Sequence, residues 1–365
     1  MVSVIDSKYM SYNFVMPTYQ KFVSDVFSTL STSYKNLSSS DLTPKSLSNT
    51  VREYGNISLR DIFTFFGLAL LWTLLRYVTT VFLLKPLLSI NKLGKNERRK
   101  APESLWKLLF YSSTWCYAVY LLFFTKYDFF FNPPLTFYGW KNGQDVPQDI
   151  YTFYMVQLSF YFHSVYGTLY MDVWRKDSVV MLLHHFVTLL LVGFSYIFRF
   201  TNVGILVLFF HDITDIILEF TKLVLYHKTV GGKWTKICDF ISTIGFVLFG
   251  TAWFVFRLYW YPLKALYAAG HTSVVVMGQE PPFFLFFNIL LWILLGMNIY
   301  WFKFIVIMAY YVVTGKSNEV EDVREYDEDK GPQRSSDSDG NSNKKKQEMG
   351  NGDASRKNGL MKKHQ

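Results

Sequence analysis

Cysteine and charged side chains are both scarce in this sequence. Two cysteines, Cys116 and Cys238, occur among its 365 residues, and they lie in different apolar segments. So few cysteines exclude a disulfide framework and a metal centre built on thiolates. Charged residues make up 18% of the chain, whereas soluble domains average about a quarter. The deficit indicates that much of the chain is not in contact with water.

Glycine-rich fingerprints for nucleotides are lacking as well. The sequence holds neither a P-loop nor the GxGxxG pattern of dinucleotide-binding folds. We therefore expect no bound organic cofactor. The formal net charge of +9 is no sign of a nucleic-acid partner, because the basic residues cluster beside apolar segments and in the C-terminal tail. Such clusters are typical of a membrane topology signal.

Long apolar runs are what the sequence has in abundance. Half of the residues, 50%, are hydrophobic, and many of them come in runs of the roughly 20 residues that cross a bilayer. The runs predict an all-α polytopic membrane protein with about seven transmembrane helices. These are near 61–84, 105–125, 150–172, 179–198, 203–226, 238–261 and 283–313.

The distribution of lysine and arginine between the connections predicts the orientation. Positively charged connections stay in the cytosol, and the first, third and fifth connections are the basic ones, with Lys85, Lys92, Lys95, Arg98, Arg99 and Lys100, then Arg175 and Lys176, then Lys228, Lys233 and Lys236. The even-numbered connections carry few charges, with Arg257 and Lys264 counted in the sixth. This pattern predicts a luminal N-terminus and a cytosolic C-terminus. Two glycosylation sequons, at Asn36 and Asn56, lie on the predicted luminal side.

The hydrophilic tail from residue 313 to 365 is predicted to be disordered in the cytosol, because it cannot bury enough apolar surface to fold. Within it, Ser336 precedes two aspartates and suits an acidophilic kinase, although an unmodified tail is equally compatible with the sequence. Lys362 and Lys363 match the dilysine signal that returns membrane proteins to the endoplasmic reticulum, and this predicts the localisation.

Two predicted spans contain polar residues that are expensive in a bilayer. An aspartate at mid-membrane costs roughly 2.5–3.5 kcal/mol, so such residues usually face a cavity and act there. The span 179–198 contains the adjacent His184 and His185. In the next span, Asp212, Asp215, Glu219 and Lys222 follow one another at helical spacing, with His211 beside them. This stripe of charged residues predicts that one face of the helix is in contact with water.

Three interpretations of these polar residues are open from their types alone. Histidine and carboxylate pairs can hold helices together, or bind zinc or iron, although membrane di-iron oxygenases use more histidines. The third interpretation is acid–base or nucleophilic catalysis, because histidine titrates near neutrality and a neighbouring carboxylate fixes its tautomer. We favour catalysis, with acyl transfer to or from a lipid as the reaction and no metal ion.

The stretch 174–223, WRKDSVVMLLHHFVTLLLVGFSYIFRFTNVGILVLFFHDITDIILEFTKL, resembles the Lag1 motif of the ceramide synthases. Its elements are Arg175-Lys176-Asp177, His184-His185, Phe194-Ser195-Tyr196, and His211-Asp212 followed by Asp215 and Glu219. The resemblance implies a helical barrel of the TLC type over 98–312. It divides the chain into a luminal region 1–60, a first helix with a basic linker 61–97, the TLC domain, and the tail 313–365.

This resemblance also implies a reaction: N-acylation of sphinganine or sphingosine by a fatty acyl-CoA, in the bilayer, by a homo- or hetero-dimer. Many animal members carry a homeobox-like insertion between the first two spans, and this sequence is too short there to hold one. Members without it favour a C18 acyl chain. In the family, chain length is attributed to a loop before the last span, here His271, Thr272, Ser273, Val274, Val275, Val276, Met277, Gly278, Gln279, Glu280 and Pro281.

Residue roles follow from the chemistry and the resemblance together. One of His184 and His185 is expected to be the catalytic group, with Asp212 or Asp215 holding its tautomer, and it acts either as a general base or as a nucleophile that forms an acyl-imidazole. A non-catalytic lipid sensor or carrier is the alternative. His211, Glu219 and His163 are expected to support the site; the candidates for contact with the CoA phosphates are Arg98, Arg99, Lys100, Arg175 and Lys176.

Overall fold

The computed structural model describes residues 14–38, 43–89, 93–228 and 230–314, and within these ranges it contains helices and no strands. The predicted tail, with Ser336, Lys362 and Lys363, lies outside the described residues except for its first two positions. In chain order the α-helices are α1 Tyr19–Ser38, α2 Pro44–Tyr54, α3 Leu59–Thr79, α4 Lys85–Ser89, α5 Lys95–Phe124, α6 Gln148–Tyr170, α7 Ser178–Ile197, α8 Thr201–Lys228, α9 Thr235–Ala252, α10 Ser273–Met277 and α11 Phe284–Val313.

Each of the seven predicted apolar segments coincides with a helix. Four helical stretches in the described part of the chain are long and apolar enough to cross a membrane, namely Leu59–Ser89, Ser178–Ile197, Thr235–Met277 and Phe284–Val313. Helices α5, α6 and α8 occupy the other three predicted segments. The protein is therefore an all-helical, multi-pass membrane protein, as the apolar runs predicted.

The polar N-terminal region contains two helices, α1 and α2, that hydropathy alone did not predict. Helix α2 begins with a capping box in which the Thr43 side chain accepts from the Ser46 backbone N–H and the Ser46 side chain accepts in return. Helix α3 begins with the same device at Ser58 and Asp61. Such reciprocal caps satisfy backbone donors that a helix start leaves unpaired. The first apolar helix thus has a fixed starting residue.

Helices α7 and α8 are joined by a short turn, as the sequence predicted. The Phe200 N–H donates to the Ser195 carbonyl at 2.7 Å, across a turn in which Arg199 has φ of 63°. This is the left-handed helix ending usually supplied by glycine. The Arg199 guanidinium packs over the Tyr196 ring, 4.9 Å from its centroid, which compensates for the unfavourable backbone. The turn keeps the two helices that carry the polar residues next to each other.

The sixth apolar segment continues far beyond its predicted end at residue 261. After α9 the chain forms π-helical turns over Trp253–Leu266 and Ala268–Thr272, then α10, and Gly278 ends the helix with φ of 69°. Two expectations are corrected by this continuity. Arg257 and Lys264 lie within a helix and not in a connection, and most of the segment 271–281 is helical, with only its last residues forming a loop.

Candidate active site

Two cavities meet inside the helices. The polar cavity encloses about 1600 Å³, including its open mouth, and its walls come from α3, α5 to α9, the π-helical turns after α9 and α11. Among its lining residues are Lys107, Asp172, Arg175, His184, His185, Asp215, Glu219, Lys222, Arg257 and Trp301. The apolar cavity measures about 780 Å³, its open mouth included; its lining includes His184, Leu191, Ser195, Val207, His211, Ala269, Pro281, Phe284, Phe287, Asn288 and Leu291.

His184 lines both cavities, whereas His185 lines the polar cavity alone. The two imidazole rings lie 5.8 Å apart between centroids. His185 is buried and His184 half-buried, and among the described residues the Nδ1 atom of neither ring has a hydrogen-bond partner. Adjacent helical residues point about 100° apart, which explains why one ring stands at the junction and the other beside it.

Trp301 of α11 fixes one side of His184. Its indole ring meets the imidazole edge-on, with centroids 5.4 Å apart and planes at 84°. The indole Nε1–H donates to the Asp177 carboxylate at 3.1 Å, and Asp177 directly precedes α7. The contact therefore links the start of α7 to α11 and restricts how the His184 ring can turn.

His211 has both ring nitrogens engaged. Nδ1 lies 2.7 Å from the Val207 carbonyl, and because a carbonyl only accepts, Nδ1 carries the proton. Nε2 then accepts from the Asn298 amide at 3.1 Å. The ring also stands edge-on to Tyr261, with centroids 5.1 Å apart. Such a ring is oriented as part of the wall and has no free nitrogen for a substrate.

The two aspartates of α8 have different surroundings. Asp212 is fully buried and outside the lining of both cavities; its carboxylate accepts from Gln157 Nε2 at 2.7 Å and from Thr114 at 3.2 Å. Asp215 lines the polar cavity with Glu219 and Lys222, three of the four stripe residues. In the part of the chain that is described, neither carboxylate hydrogen-bonds with the rings of His184 or His185. Asp215 shares the polar cavity with both rings, and the carboxylate contact predicted to hold a histidine tautomer stays a prediction.

Arg257 is the site residue that sequence reasoning missed. Its Nη2 donates to Asp215 at 2.9 Å and to the His211 carbonyl at 2.8 Å. Its guanidinium stacks on Trp253, 4.0 Å from the ring centroid. The available signal was an arginine inside the aromatic run WFVFRLYW, because a charge within an apolar segment is usually functional.

Charged residues of α3, α5 and the α6–α7 connection form a network in the polar cavity. Glu103 accepts from Lys107 at 2.7 Å and from Arg175 at 2.9 Å, and Lys107 also contacts Asp172 at 2.8 Å. Asp172 is paired in addition with Arg76. Burial would raise the pKa of the Glu103 carboxyl, but the two cations hold it below its usual value. The network holds three cations and two carboxylates, and Asp177, which lines the same cavity, balances the third cation.

Of the five predicted CoA-phosphate candidates, Arg175 lines the polar cavity. Its Nε and Nη2 atoms are buried and lack partners among the described residues. Arg98, Arg99, Lys100 and Lys176 are outside the lining. His163 lies outside both cavities as well, with Nδ1 2.9 Å from the Thr73 hydroxyl. The predicted chain-length segment reaches the apolar cavity through Pro281.

Comparison with known proteins agrees with this architecture. The family model of the TLC domain, TRAM_LAG1_CLN8, matches residues 100–307. Human ceramide synthase 1 is 53% identical over 71% of this chain and 74% of its own length, and the mouse protein is 49% identical over 75% and 78%. The Arabidopsis thaliana ceramide synthase LOH2 is 30% identical over 63% of this chain and 75% of its own length.

The domain match covers more than half of the chain, which defines the class as that of the TLC-domain membrane proteins. Within that class the chain belongs to the ceramide synthases, and it is an enzyme. Its similarity to ceramide synthase 1 extends over about three quarters of that protein.

Proposed function

We propose that the protein transfers a fatty acyl group from acyl-CoA to the amine of sphinganine or sphingosine, with His184 as the reacting side chain. The amide C–N bond forms, the thioester C–S bond breaks, the amine loses a proton and CoA leaves as a thiol. The observation that carries this proposal is the position of His184, which is shared by a charged cavity and an apolar one. A long-chain acyl-CoA has the same two parts.

Each cavity suits one part of that substrate. In the polar cavity, Arg175 has two guanidinium nitrogens without a partner among the described residues, and these can donate to the phosphates of CoA. The apolar cavity, lined by residues such as Leu191, Phe284 and Phe287, suits the acyl chain. We take stearoyl, C18, as the preferred chain because of the resemblance to ceramide synthase 1. Sphinganine enters sideways from the bilayer.

The covalent route fits the surroundings of His184 better than direct transfer. In that route an unprotonated ring nitrogen attacks the thioester carbonyl, CoA leaves, and the amine then attacks the acyl-imidazole. Because the ring is half-buried and lines the apolar cavity, an acyl group attached to it is shielded from water. Asp215 is the carboxylate of the α8 stripe nearest in sequence to His211 that shares the polar cavity with His184, and Arg257 holds it in place; it is our candidate for stabilising a cationic ring.

An N-acylation assay on detergent-purified protein tests the proposed function. We expect ceramide from sphinganine and long-chain acyl-CoA, with the highest kcat/KM for stearoyl-CoA. Binding of both lipids without formation of an amide would overturn the proposal in favour of a lipid sensor or carrier. A different preferred chain length would contradict the C18 assignment alone.

The Arg175 side chain provides a test of the CoA site. Replacing it with alanine is expected to raise KM for acyl-CoA about tenfold, the effect of losing one hydrogen bond to a charged group. Lys176→Ala is the matched control, because Lys176 is adjacent but does not line the cavity. The KM for acyl-pantetheine, which lacks the nucleotide, should stay the same. An equal loss with both thioesters would contradict a role in binding the nucleotide.

Seven membrane spans, a luminal N-terminus and residence in the endoplasmic reticulum complete the proposal. The loop charges and the helices at the seven apolar segments support the first two, and the dilysine signal at Lys362 and Lys363 supports the third. Only one of the two sequons is expected to carry a glycan. Asn36 is exposed, whereas the Asn56 amide is half-buried and donates to the Tyr54 carbonyl and to Asn142. Asn36→Gln should abolish the endoglycosidase-sensitive mobility shift, and Asn56→Gln should leave it intact. The absence of any glycan on wild type would contradict the luminal N-terminus.

A further inference from the structure

Helix α1 packs against the end of the apolar cavity that is remote from His184. Asn288 lines that end, and Trp301, which contacts His184, lies about 20 Å further along α11 at 1.5 Å per residue. The Phe22 ring of α1 stacks on Trp292 of α11 with centroids 5.8 Å apart. Val26, one turn later on the same face, is fully buried.

Val26 stands directly behind the lining of the cavity. A Cβ atom on Gly270 would lie 2.9 Å from Val26 Cγ1 and 2.9 Å from Asn288 Oδ1. Helix α1, the π-helical turn Ala268–Thr272 and α11 therefore meet at Gly270 without room for one more carbon. Ala269 and Asn288, on either side of this contact, both line the cavity. A single layer of residues separates Val26 from the cavity.

Three hydrogen bonds fasten α1 to both sides of this end. The Tyr267 hydroxyl donates to Asp25 at 2.9 Å, and the Ser33 hydroxyl donates to Glu280 at 2.8 Å. The Thr29 hydroxyl donates to a backbone carbonyl, so it accepts from His271 Nδ1, 2.9 Å away. The bonds are spread over the length of α1. They hold the turn around residue 270 and the segment that ends at Pro281 in fixed positions.

We propose that helix α1 forms the supporting end wall of the acyl site and that Val26 determines how long an acyl chain the enzyme accepts. The inference rests on the proposed function, in which the apolar cavity holds the acyl chain. The terminal methyl group of the chain lies against Ala269 and Asn288. These residues cannot move away from the chain as long as Val26 fills the space behind them.

The test is a competition assay in which the full-length protein receives sphinganine and equimolar C16, C18, C20 and C22 acyl-CoA. Val26→Ala removes two methyl groups behind the wall and should shift the optimum toward longer chains. Val26→Leu adds a methylene and should shift it toward shorter ones. Burial of one methylene of the acyl chain is worth about 0.8 kcal/mol, or about fourfold in kcat/KM. Neighbouring acyl-CoAs in this panel differ by two methylenes, so their kcat/KM ratio should change by up to about sixteenfold.

Val23→Ala is the matched control, because Val23 lies on the same helix and is 46% exposed. It should leave the chain-length profile of wild type unchanged. A loss of activity in both Val26 variants that is equal for all four acyl-CoAs would overturn the inference and leave Val26 a merely structural residue. If Val26→Ala fails to fold, the profile of Val26→Leu decides. A wild-type enzyme that forms no ceramide would instead overturn the proposed function.

Discussion

Replacing His184 with alanine is expected to abolish ceramide formation, with a loss of at least about 10³-fold in kcat, in the range of a missing acid–base or nucleophilic group. The substitution removes the only side chain shared by the two cavities in the described part of the chain. Both halves of the reaction should therefore fail. The measurement is the rate of ceramide formation from sphinganine and stearoyl-CoA by detergent-purified protein. The variant must have the same thermal stability as wild type.

A second measurement on the same variant separates the two chemical routes. Wild type is mixed with stearoyl-CoA without sphinganine, quenched rapidly and analysed by mass spectrometry for a stearoyl adduct. The covalent route predicts an adduct on wild type and none on His184→Ala. If wild type makes ceramide but forms no adduct, His184 acts as a general base and transfer is direct.

Two histidine variants serve as comparisons. His227→Ala is the matched control, because His227 lies near the end of α8, bonds the Leu223 carbonyl and lines neither cavity. It should keep wild-type activity. His185→Ala is expected to slow the reaction and still form the adduct, since His185 reaches only the polar cavity. An adduct on His184→Ala but not on His185→Ala would reverse the assignment of the two rings.

The apolar segments and the histidine pair were predictable because both are local properties of the chain. A run of about 20 apolar residues indicates a span, and two histidines within such a run stand out without knowledge of any partner. Helical spacing also predicted that Asp215, Glu219 and Lys222 share a face, and all three line the polar cavity. The helical period of the sequence shows which residues share a face of a helix, but it does not show which other helix packs against that face.

What could not be predicted depends on contacts between distant parts of the chain. Asp212 is held by Gln157 and Thr114 of two other helices, so its spacing from Asp215 did not place both aspartates in the cavity. Arg257 was counted with the loop charges although the predicted span 238–261 contains it, because the sequence did not show that π-helical turns continue α9 past residue 261. The docking of α1 likewise depends on Gly270 and Asn288, far away in sequence.

The Arg257–Asp215 pair leads to the second large expected effect. The Arg257 side chain is 4% exposed and the Asp215 side chain 25%. Removing one partner of a buried pair leaves an uncompensated charge, at a cost of about 3 kcal/mol or more. Asp215→Asn should therefore lower the thermal midpoint in detergent by roughly 5 °C. It should also lower activity, because the charge that stabilises a cationic His184 is removed.

Arg257→Met is expected to be the milder change, although it removes the same ion pair. Methionine keeps the unbranched shape beside Trp253, and the remaining carboxylate faces the polar cavity, where it can meet water or take up a proton. A guanidinium in a protein cannot lose its charge, and the Arg257 side chain is much less exposed than that of Asp215. In Asp215→Asn the charge of Arg257 therefore stays largely uncompensated.

The double variant Asp215→Asn/Arg257→Met decides between this account and a purely steric one. If the uncompensated guanidinium causes the loss in Asp215→Asn, removing it should restore part of the thermal midpoint, so that the double variant is more stable than Asp215→Asn alone. Additive losses would contradict a coupled pair, since independent sites add. Activity should remain low in the double variant even where stability returns, because both variants lack the negative charge of Asp215 in the cavity that His184 lines. A simultaneous return of stability and activity would mean that the pair supports the fold and has no electrostatic part in the reaction.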